Sequence, residues 1–125
     1  MPELTSAEYV DQVHRSRSDL YNIEAVPVAI LHAAFGITTE GGEIQDHIKK
    51  VVFQGRPLDP VNLKEELGDL CWYIALMCRA LKPTFEEVWA LNINKLKARY
   101  SKGFTEKEAH TRNLAKEREI LEDEA

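Results

Sequence analysis

The sequence predicts an all-α fold, a helical bundle of about five helices, and three observations lead to this prediction. Start signals for helices recur along the chain, no stretch alternates apolar and polar residues as a strand would, and no internal repeat is present. The length of 125 residues, 44% of them apolar and 30% charged, suits one domain that can bury a core. We therefore expect a single domain over residues 1–125.

The start signals place the five helices in order. Capping boxes, in which a Thr and a Glu three residues later satisfy free amides of the first turn, occur at Thr5, Thr84 and Thr105. A proline suits the first turn of a helix, and Pro27 and Pro60 fit this role. The predicted helices are 5–20, 27–50, 60–81, 84–100 and 105–122, with a turn-rich connection over 53–59 and a charged tail over 116–125 that we expect to fray.

The third predicted helix is apolar on every side from Leu70 to Cys78, a run of nine residues. A helix that is apolar all round must be buried all round, and one chain of short helices can hardly enclose it. We therefore expect a homodimer or homotetramer that forms through the central helices, with this helix at the interface. Nine residues are too few to cross a membrane, which requires about 20.

Charge and cysteine content argue against several classes of partner and compartment. A formal net charge of −5 gives no general attraction to nucleic acid or to an anionic membrane, so we expect neither as a partner. Cys71 and Cys78 lie too far apart on one helix for a disulfide, which favours free thiols in a reducing compartment. The first residues lack the basic and apolar regions of a signal peptide, so we expect a cytoplasmic protein, in the host cytoplasm if a phage encodes it.

Two pairs of carboxylates, Glu40/Glu43 and Glu66/Asp69, are the strongest candidates for a metal site. Residues three apart project from one face of a helix with Cβ atoms roughly 5–6 Å apart, which suits two carboxylates that share a cation. The same spacing occurs five times in this acidic chain, but only these pairs enter apolar stretches, where an unpaired carboxylate is costly. Two antiparallel helices joined by a short connection would bring the pairs face to face.

The ligand chemistry selects a hard cation. A set of oxygens alone favours Mg²⁺ or Mn²⁺, whereas no Cys/His spacing suits zinc and the Glu-x-x-His signature of di-iron bundles is missing. The alternative is that the acids form buried salt bridges with Lys or Arg. Gly41 and Gly42 lie between two proposed ligands, where they indicate close approach of a neighbouring helix or a ligand, or else a kink or break of the helix.

The fourth predicted helix carries a polar stripe. Asn92, Lys95 and Arg99 fall at positions i, i+3 and i+7 and therefore share one face. A Lys and an Arg on one face can hold phosphate oxygens beyond the metals. The alternative is that these cations are merely favourable near the C-terminus of a helix, where the helix dipole is negative. Together with the carboxylates, the stripe favours a phosphate ester as substrate.

Three blocks in this order resemble the MazG-like all-α nucleoside triphosphate pyrophosphohydrolases, in particular compact single-module members from bacteria and phages. The blocks are Thr39-Glu40-Gly41-Gly42-Glu43-Ile44-Gln45-Asp46, Glu65-Glu66-Leu67-Gly68-Asp69-Leu70-Cys71-Trp72-Tyr73 and Asn92-x-x-Lys95-Leu96-x-x-Arg99-Tyr100. The connection 53–59 and Arg112-Asn113-Leu114 fit the same members, so the resemblance covers roughly residues 27–115.

The resemblance implies an oligomeric helical bundle that hydrolyses a (d)NTP to the monophosphate and pyrophosphate, with Mg²⁺ or Mn²⁺ and two or more ions per site. The implied role is the shaping or sanitation of a nucleotide pool. The positions that match the family's metal ligands are Glu40, Glu43, Glu66 and Asp69. The positions that match its substrate-binding residues are Asn92, Lys95, Arg99 and Tyr100. The implied catalytic residues, which orient or deprotonate the attacking water, are Glu43 or Glu40, assisted by Glu65.

One position departs from the family pattern. Thr39 stands where an acid often precedes Glu40, so a third ligand or a water-orienting group is missing or replaced, and Asp46 is the substitute to test. Two alternatives stay open: a phosphohydrolase of nucleoside diphosphates or modified nucleotides, and a catalytically silent module that binds a nucleotide or a partner. Aromatic and apolar residues near the site could form a base pocket or belong to the core, namely Phe35, Ile37, Phe53, Trp72 and Tyr73.

Overall fold

The computed structural model describes residues 3–101 and 103–123, and within these ranges the regular structure is helical. An isolated bridge between Ser101 and Gly103 is the one β-type feature of the described residues. The named elements are α1 (Ser6–Ser16), a 3-10 turn (Ile23–Ala25), α2 (Val28–Gln54), α3 (Pro60–Leu81), α4 (Phe85–Arg99), α5 (Glu106–His110) and α6 (Leu114–Asp123). The predicted all-α fold class is therefore confirmed.

Helices begin where their caps place them. The side chains of Thr5 and Thr84 each accept a hydrogen bond from the N–H three residues on, and the glutamate there accepts one from the N–H of the threonine. Thr105 accepts from the third N–H of α5, but the described residues show no return hydrogen bond to the Glu108 side chain, so only half of the predicted capping box forms there. Asp59 accepts from two N–H groups in the first turn of α3, with Pro60 at its first position.

Helix ends differ from the sequence prediction at both termini of the chain. The first helix ends at Ser16 and not at residue 20, because Arg17 has extended backbone angles of φ −71° and ψ 152°. The predicted helix 105–122 is divided between α5, which ends at His110, and α6, which begins at Leu114. Asn113 restarts the helix, since its side-chain oxygen accepts a hydrogen bond from the N–H of Lys116 at 3.0 Å.

The charged tail is helical as far as it is described. Residues 116–123 belong to α6, while residues 124–125 lie outside the described part of the chain, and the expected fraying of residues 116–125 stays a prediction. Within this helix Glu117 is only 5% exposed and is ion-paired to Arg99 at the end of α4.

The hairpin of α2 and α3 is the main packing unit. Contacts run from His47 against Asp59 at the connection to Gly36 against Tyr73 further along, so the two helices are antiparallel. A Cβ placed on Gly36 would overlap the ring of Tyr73, which makes this glycine the point of closest approach. The helix continues unbroken past the predicted end at residue 50, and it also runs unbroken through Gly41 and Gly42, so the alternative of a break there is wrong.

A second unit consists of α4 packed against α6. Apart from α2 with α3 and α4 with α6, no pair of elements in the described ranges packs over more than isolated contacts. The chain therefore folds as a hairpin followed by a small C-terminal unit. None of the described helices is both long enough and apolar enough to span a lipid bilayer.

Large apolar side chains remain exposed along the hairpin. Phe35 is 66% exposed and Phe53 is 80% exposed, and the same is true of other large side chains: Val28, Val52, Val61, Leu67 and Trp72. The sequence predicts burial of the third helix on all sides, but in the single chain only one side of α3 is covered. Exposed apolar area of this extent is characteristic of an interaction surface.

Candidate active site

Three glutamates meet between α2 and α3. Glu40 and Glu43 come from α2 and Glu66 comes from α3, and each offers a carboxylate oxygen such that these oxygens all lie within 4.8 Å of one another. We call these three residues the acidic cluster. The spacing of three places Glu40 and Glu43 on the face of α2 that packs against α3, and the antiparallel hairpin sets Glu66 opposite them.

The acidic cluster lacks the donors that buried carboxylates need. Glu66 is only 8% exposed, yet its Oε2 atom has no hydrogen-bond partner, and the same holds for Oε2 of Glu40. The other oxygen of Glu66, Oε1, accepts a long hydrogen bond of 3.5 Å from Nδ2 of Asn62. Among the described residues no Lys or Arg forms an ion pair with the cluster, so the salt-bridge alternative is not what the structure shows. Negatively charged carboxylates whose oxygens have no hydrogen-bond donor are suited to bind a cation.

The electrostatics of Glu43 reflect the same crowding. A hydrogen bond with the Glu66 carboxyl and repulsion by its charge raise the pKa of Glu43 above its ordinary value, and burial and the charge of Asp69 add to the effect. A hydrogen bond with Glu40 acts in the opposite direction. Like charges that face one another resist simultaneous ionisation, and a bound cation would relieve this resistance.

Asp69 and Glu65 lie outside the acidic cluster. Asp69 is exposed on α3 and lines a cavity of about 370 Å³ together with Glu40, Trp72 and Tyr73. Glu65 is exposed and is not one of the three residues whose carboxylates meet. The structure therefore brings three of the four predicted ligands together and places the fourth at the edge of the site.

Thr39, the residue that departs from the family pattern, forms a hydrogen bond within its own helix. The Thr39 hydroxyl donates to the backbone carbonyl of Gly36 at 3.1 Å. The candidate substitute, Asp46, is ion-paired to Nζ of Lys50 at 2.7 Å and to Nζ of Lys49 at 3.2 Å. The hydrogen bond with Lys50 lowers the pKa of Asp46 the most, and the hydrogen bond with Lys49 lowers it further. Asp46 thus holds two lysines beside the site and is not part of the acidic cluster.

A polar cavity and an aromatic cavity flank the acidic cluster. The polar cavity has a volume of about 340 Å³ and is lined by Glu43, Asp46, His47, Lys50, Asn62 and Glu66. The aromatic cavity is the one that contains Asp69, and the rings of Trp72 and Tyr73 meet edge to face there with centroids 5.0 Å apart. Each cavity borders the cluster, since Glu40 lines the aromatic cavity and Glu43 and Glu66 line the polar one.

A third cavity lies on the outer side of α2. It measures about 470 Å³, and its lining residues are Gly42, Gln45, Asp46, Ile48, Lys49, Val52 and Phe53. A Cβ on Gly41 or Gly42 would meet nothing within 4 Å in the single chain. The described part of the chain therefore supplies no neighbouring helix at these glycines, and a ligand or a second copy of the chain remains as the predicted neighbour.

The predicted substrate-binding residues lie on α4 or directly after it. Arg99 lies at the end of α4, where its Nε donates to Oε1 of Glu117 at 2.7 Å and its Cζ lies 5.6 Å from the ring centroid of Tyr100. Lys95 is half-buried and Asn92 is exposed on the same helix. Among the described elements α4 packs chiefly against α6, and none of these four residues lines either cavity beside the cluster.

Glu117, which links α6 to the end of α4, was not predicted from the sequence. Its two carboxylate oxygens accept from Arg99 and from Nη2 of Arg112, each at 2.7 Å. The hydrogen bond with Arg99 is the largest cause, and that with Arg112 the next, of a pKa of Glu117 that is lowered to about 2. The available signal was that Glu117, Ile120 and Leu121 share one face of a helix, and the structure shows that this face is covered.

Sequence analysis also missed Lys50 and Asn62. The signal in the sequence was that Glu43, His47 and Lys50 fall at i, i+4 and i+7, so they share the face of α2 that carries the acidic cluster. Asn62 lies one turn before Glu66 on α3 and so belongs to the same side of the hairpin. Both residues line the polar cavity.

Comparison with known proteins gives one matching family profile and one similar phage protein. The family profile described as the MazG nucleotide pyrophosphohydrolase domain matches residues 31–104, which is more than half of the chain. The "Gene 37 protein" of Mycobacterium phage L5 is 31% identical over 105 aligned residues, which cover 68% of this chain and 90% of that protein. No solved structure matches. The matched range contains the acidic cluster, the polar cavity and α4.

Proposed function

The chain belongs to the MazG nucleotide pyrophosphohydrolase family, and from this premise we propose that it hydrolyses a (d)NTP to the (d)NMP and pyrophosphate. The observation that carries the proposal is Glu66, a buried carboxylate with an orphaned oxygen that faces two further glutamates. The enzyme would act as one MazG-like module, and its role would be to shape or sanitise a nucleotide pool in the cytoplasm.

The metal would be Mg²⁺, with Mn²⁺ as a substitute. Glu40, Glu43 and Glu66 would hold it, with Asp69 as the further ligand at the edge of the site. Support comes from the donor set, which consists of carboxylate oxygens alone, and its four acids would take two or more ions. When bound, the ions would neutralise phosphate charge and make a water molecule more acidic.

The chain's own residues would handle the proton and the substrate. Glu43 or Glu40 would accept a proton from the water that attacks the α-phosphorus, and Glu65 would assist from its position beside Glu66. As the new phosphorus–oxygen bond forms, the bond from the α-phosphorus to the bridging oxygen breaks, and pyrophosphate leaves with that oxygen. The residues proposed to bind substrate on α4 are Asn92, Lys95, Arg99 and Tyr100.

We propose a homodimer or homotetramer whose interface covers the exposed apolar face of the hairpin. Two observations support it: the exposure of side chains such as Phe35 and Trp72, and the packing of α4 against α6 and not extensively against the hairpin. A second copy could bring Lys95 to the cluster. Sedimentation equilibrium should give an oligomeric mass, and a monomeric mass at micromolar concentration would contradict the proposal.

Mixing variants tests whether the site is shared. A Glu66→Gln chain and a Lys95→Gln chain should each be inactive alone. If α4 acts on the partner's cluster, co-expression should restore part of the activity, because a mixed oligomer then contains a site with both native residues. Absence of any recovery in a verified mixed oligomer would place both residues in a site of one chain.

The direct test of the activity is pyrophosphate release from a panel of NTPs and dNTPs with Mg²⁺, with Mn²⁺ and with EDTA. We expect release that depends on the metal, and the best substrate would give the base preference. Glu119→Gln, which alters an exposed glutamate on α6, serves as a control and should behave as wild type. Orthophosphate release would instead indicate a hydrolase of diphosphates or modified nucleotides.

A catalytically silent module is the second candidate. The specific observation in its favour is Thr39, whose hydroxyl is engaged within α2 where the family often has an acid. Such a module would show a rise in melting temperature with a nucleotide but no product. In that outcome, Thr39→Glu is the variant that should create activity.

A further inference from the structure

We propose that Lys50 binds the pyrophosphate portion of the substrate in the polar cavity beside the acidic cluster. This inference rests on the proposed function and adds to it a phosphate-binding residue and the orientation of the substrate in the site. Lys50 lies on α2, outside the set of α4 cations, and its side chain is half-buried and lines the cavity together with Glu43, Asn62 and Glu66.

The position of Lys50 on the helix places it on the face that carries Glu43 of the cluster. It lies seven residues after Glu43, which is two turns and a rise of about 10 Å along one face. Side chains on a helix lean toward its N-terminus, so the long Lys50 side chain leans back toward the glutamates. The ion pair with Asp46, at 2.7 Å, holds it on this face in the absence of substrate.

Lys50 is the cation that the lining of this cavity offers. His47, the other basic residue in the lining, uses its Nε2 as an acceptor for the backbone N–H of Asp59 at 3.0 Å. That hydrogen bond requires an unprotonated Nε2 and ties the ring to the connection between the helices. Lys49 also pairs with Asp46, but it lines the outer cavity on the other side of α2.

The two flanking cavities give the substrate a direction. An aromatic ring stacks on side chains such as Trp72 and Tyr73, which line the cavity on one side of the acidic cluster. A charged diphosphate needs ammonium and amide donors, which Lys50 and Asn62 offer on the other side. With the α-phosphorus at the cluster, the base would lie toward Trp72 and the leaving pyrophosphate toward Lys50.

Equilibrium binding of pyrophosphate in the presence of Mg²⁺, measured by calorimetry, tests the assignment without turnover. Lys50→Gln should weaken pyrophosphate binding by roughly 10- to 100-fold, the loss expected for one hydrogen bond to a charged group. Binding of a nucleoside monophosphate should not change, because it has no β- or γ-phosphate. Lys49→Gln is the matched control, since it removes an adjacent charge that shares the same counter-ion but faces the outer cavity.

The outcomes separate this inference from the proposed function. Equal pyrophosphate affinity in wild type and Lys50→Gln would overturn the role of Lys50 while leaving the enzyme intact. Equal losses in Lys49→Gln and Lys50→Gln would overturn it as well, since the effect would then be one of general charge. A wild-type protein that neither binds pyrophosphate nor releases it from any nucleotide would instead contradict the proposed function itself.

Discussion

Glu66 and Glu117 are both buried, but their surroundings differ in kind. Glu117 accepts hydrogen bonds from Arg99 and Arg112, and the pKa of its carboxyl falls to about 2. Glu66 faces the carboxylates of the acidic cluster and keeps an oxygen without a partner. Burial of a carboxylate therefore does not by itself indicate a functional site. What distinguishes Glu66 is a missing counter-ion, which a bound cation would supply.

The same contrast separates the two packing units. The α2–α3 hairpin concentrates charge of one sign at its centre, while the unit of α4 and α6 satisfies its buried charge internally. Repulsion between like charges therefore remains in the hairpin, whereas the buried charge of the C-terminal unit is balanced by ion pairs. Such repulsion is typical of sites whose residues are arranged for a ligand and not for stability alone.

The largest effect should come from Glu66→Gln. We expect pyrophosphate release to fall by at least about a hundredfold, because a proposed metal ligand is lost. The melting temperature should stay the same or rise, since the change removes a like charge from the cluster. Turnover is measured with a coupled pyrophosphate assay and stability by circular dichroism. Undiminished turnover would remove Glu66 from the site.

Gly36→Ala tests the packing that brings the hairpin's glutamates together. The new Cβ would overlap the ring of Tyr73, and overpacking of this kind typically destabilises by about 1–3 kcal/mol. Gly68→Ala on α3 is the matched control, since its Cβ would meet nothing within 4 Å and alanine is favoured over glycine in a helix by about 1 kcal/mol. Urea denaturation of both variants should therefore give free energies of unfolding that shift in opposite directions. Equal shifts would contradict the close approach at Gly36.

Acid should weaken the C-terminal unit through Glu117. Its folded-state pKa of about 2 lies below the ordinary 4.5, so its ion pairs contribute full stability above pH 4.5. That contribution should fall as the pH drops from 4.5 toward 2, because the unfolded state takes up the proton first. Hydrogen exchange of α6 amides, corrected for intrinsic rates, should show protection declining over this window. A Glu117→Gln variant that keeps the same decline would contradict the assignment.

Lys82→Gly should have the smallest effect. Lys82 ends α3 at φ +80°, a left-handed conformation that glycine adopts without strain, so the change should stabilise by up to about 1 kcal/mol. Gly55→Ala is the reverse control, because Gly55 ends α2 at φ +66°. We expect the two free energies of unfolding to move in opposite directions. A destabilised Lys82→Gly variant would mean that the lysine side chain has a role of its own.

The sequence predicts the helices well where local signals act alone. Caps at Thr5, Asp59 and Thr84 set helix starts, and no distant residue is needed for them. The division of the predicted C-terminal helix was missed because no Gly or Pro marks it, and the restart depends on a single side-chain cap at Asn113. A single side-chain cap is too weak a signal to be recognised within a charged segment of the sequence.

The candidate site was predictable in part. Spacing and apolar context identified Glu40, Glu43 and Glu66, because neighbours along the chain determine which face of a helix they share. The pairing of Arg99 with Glu117 spans 18 positions and depends on how two helices pack, which no local pattern specifies. Likewise the glycine of closest approach is Gly36 and not the pair at 41–42, since the register of the hairpin decides it.

Binding of Mn²⁺, followed by electron paramagnetic resonance, tests the central claim most directly. We expect the wild-type protein to take up Mn²⁺, Glu66→Gln to lose at least about tenfold in affinity, and Glu119→Gln to bind as wild type. That result would place the cation at the acidic cluster independently of any turnover. Equal Mn²⁺ affinity in wild type and Glu66→Gln would contradict the account, because the orphaned carboxylate would then have no part in binding the metal.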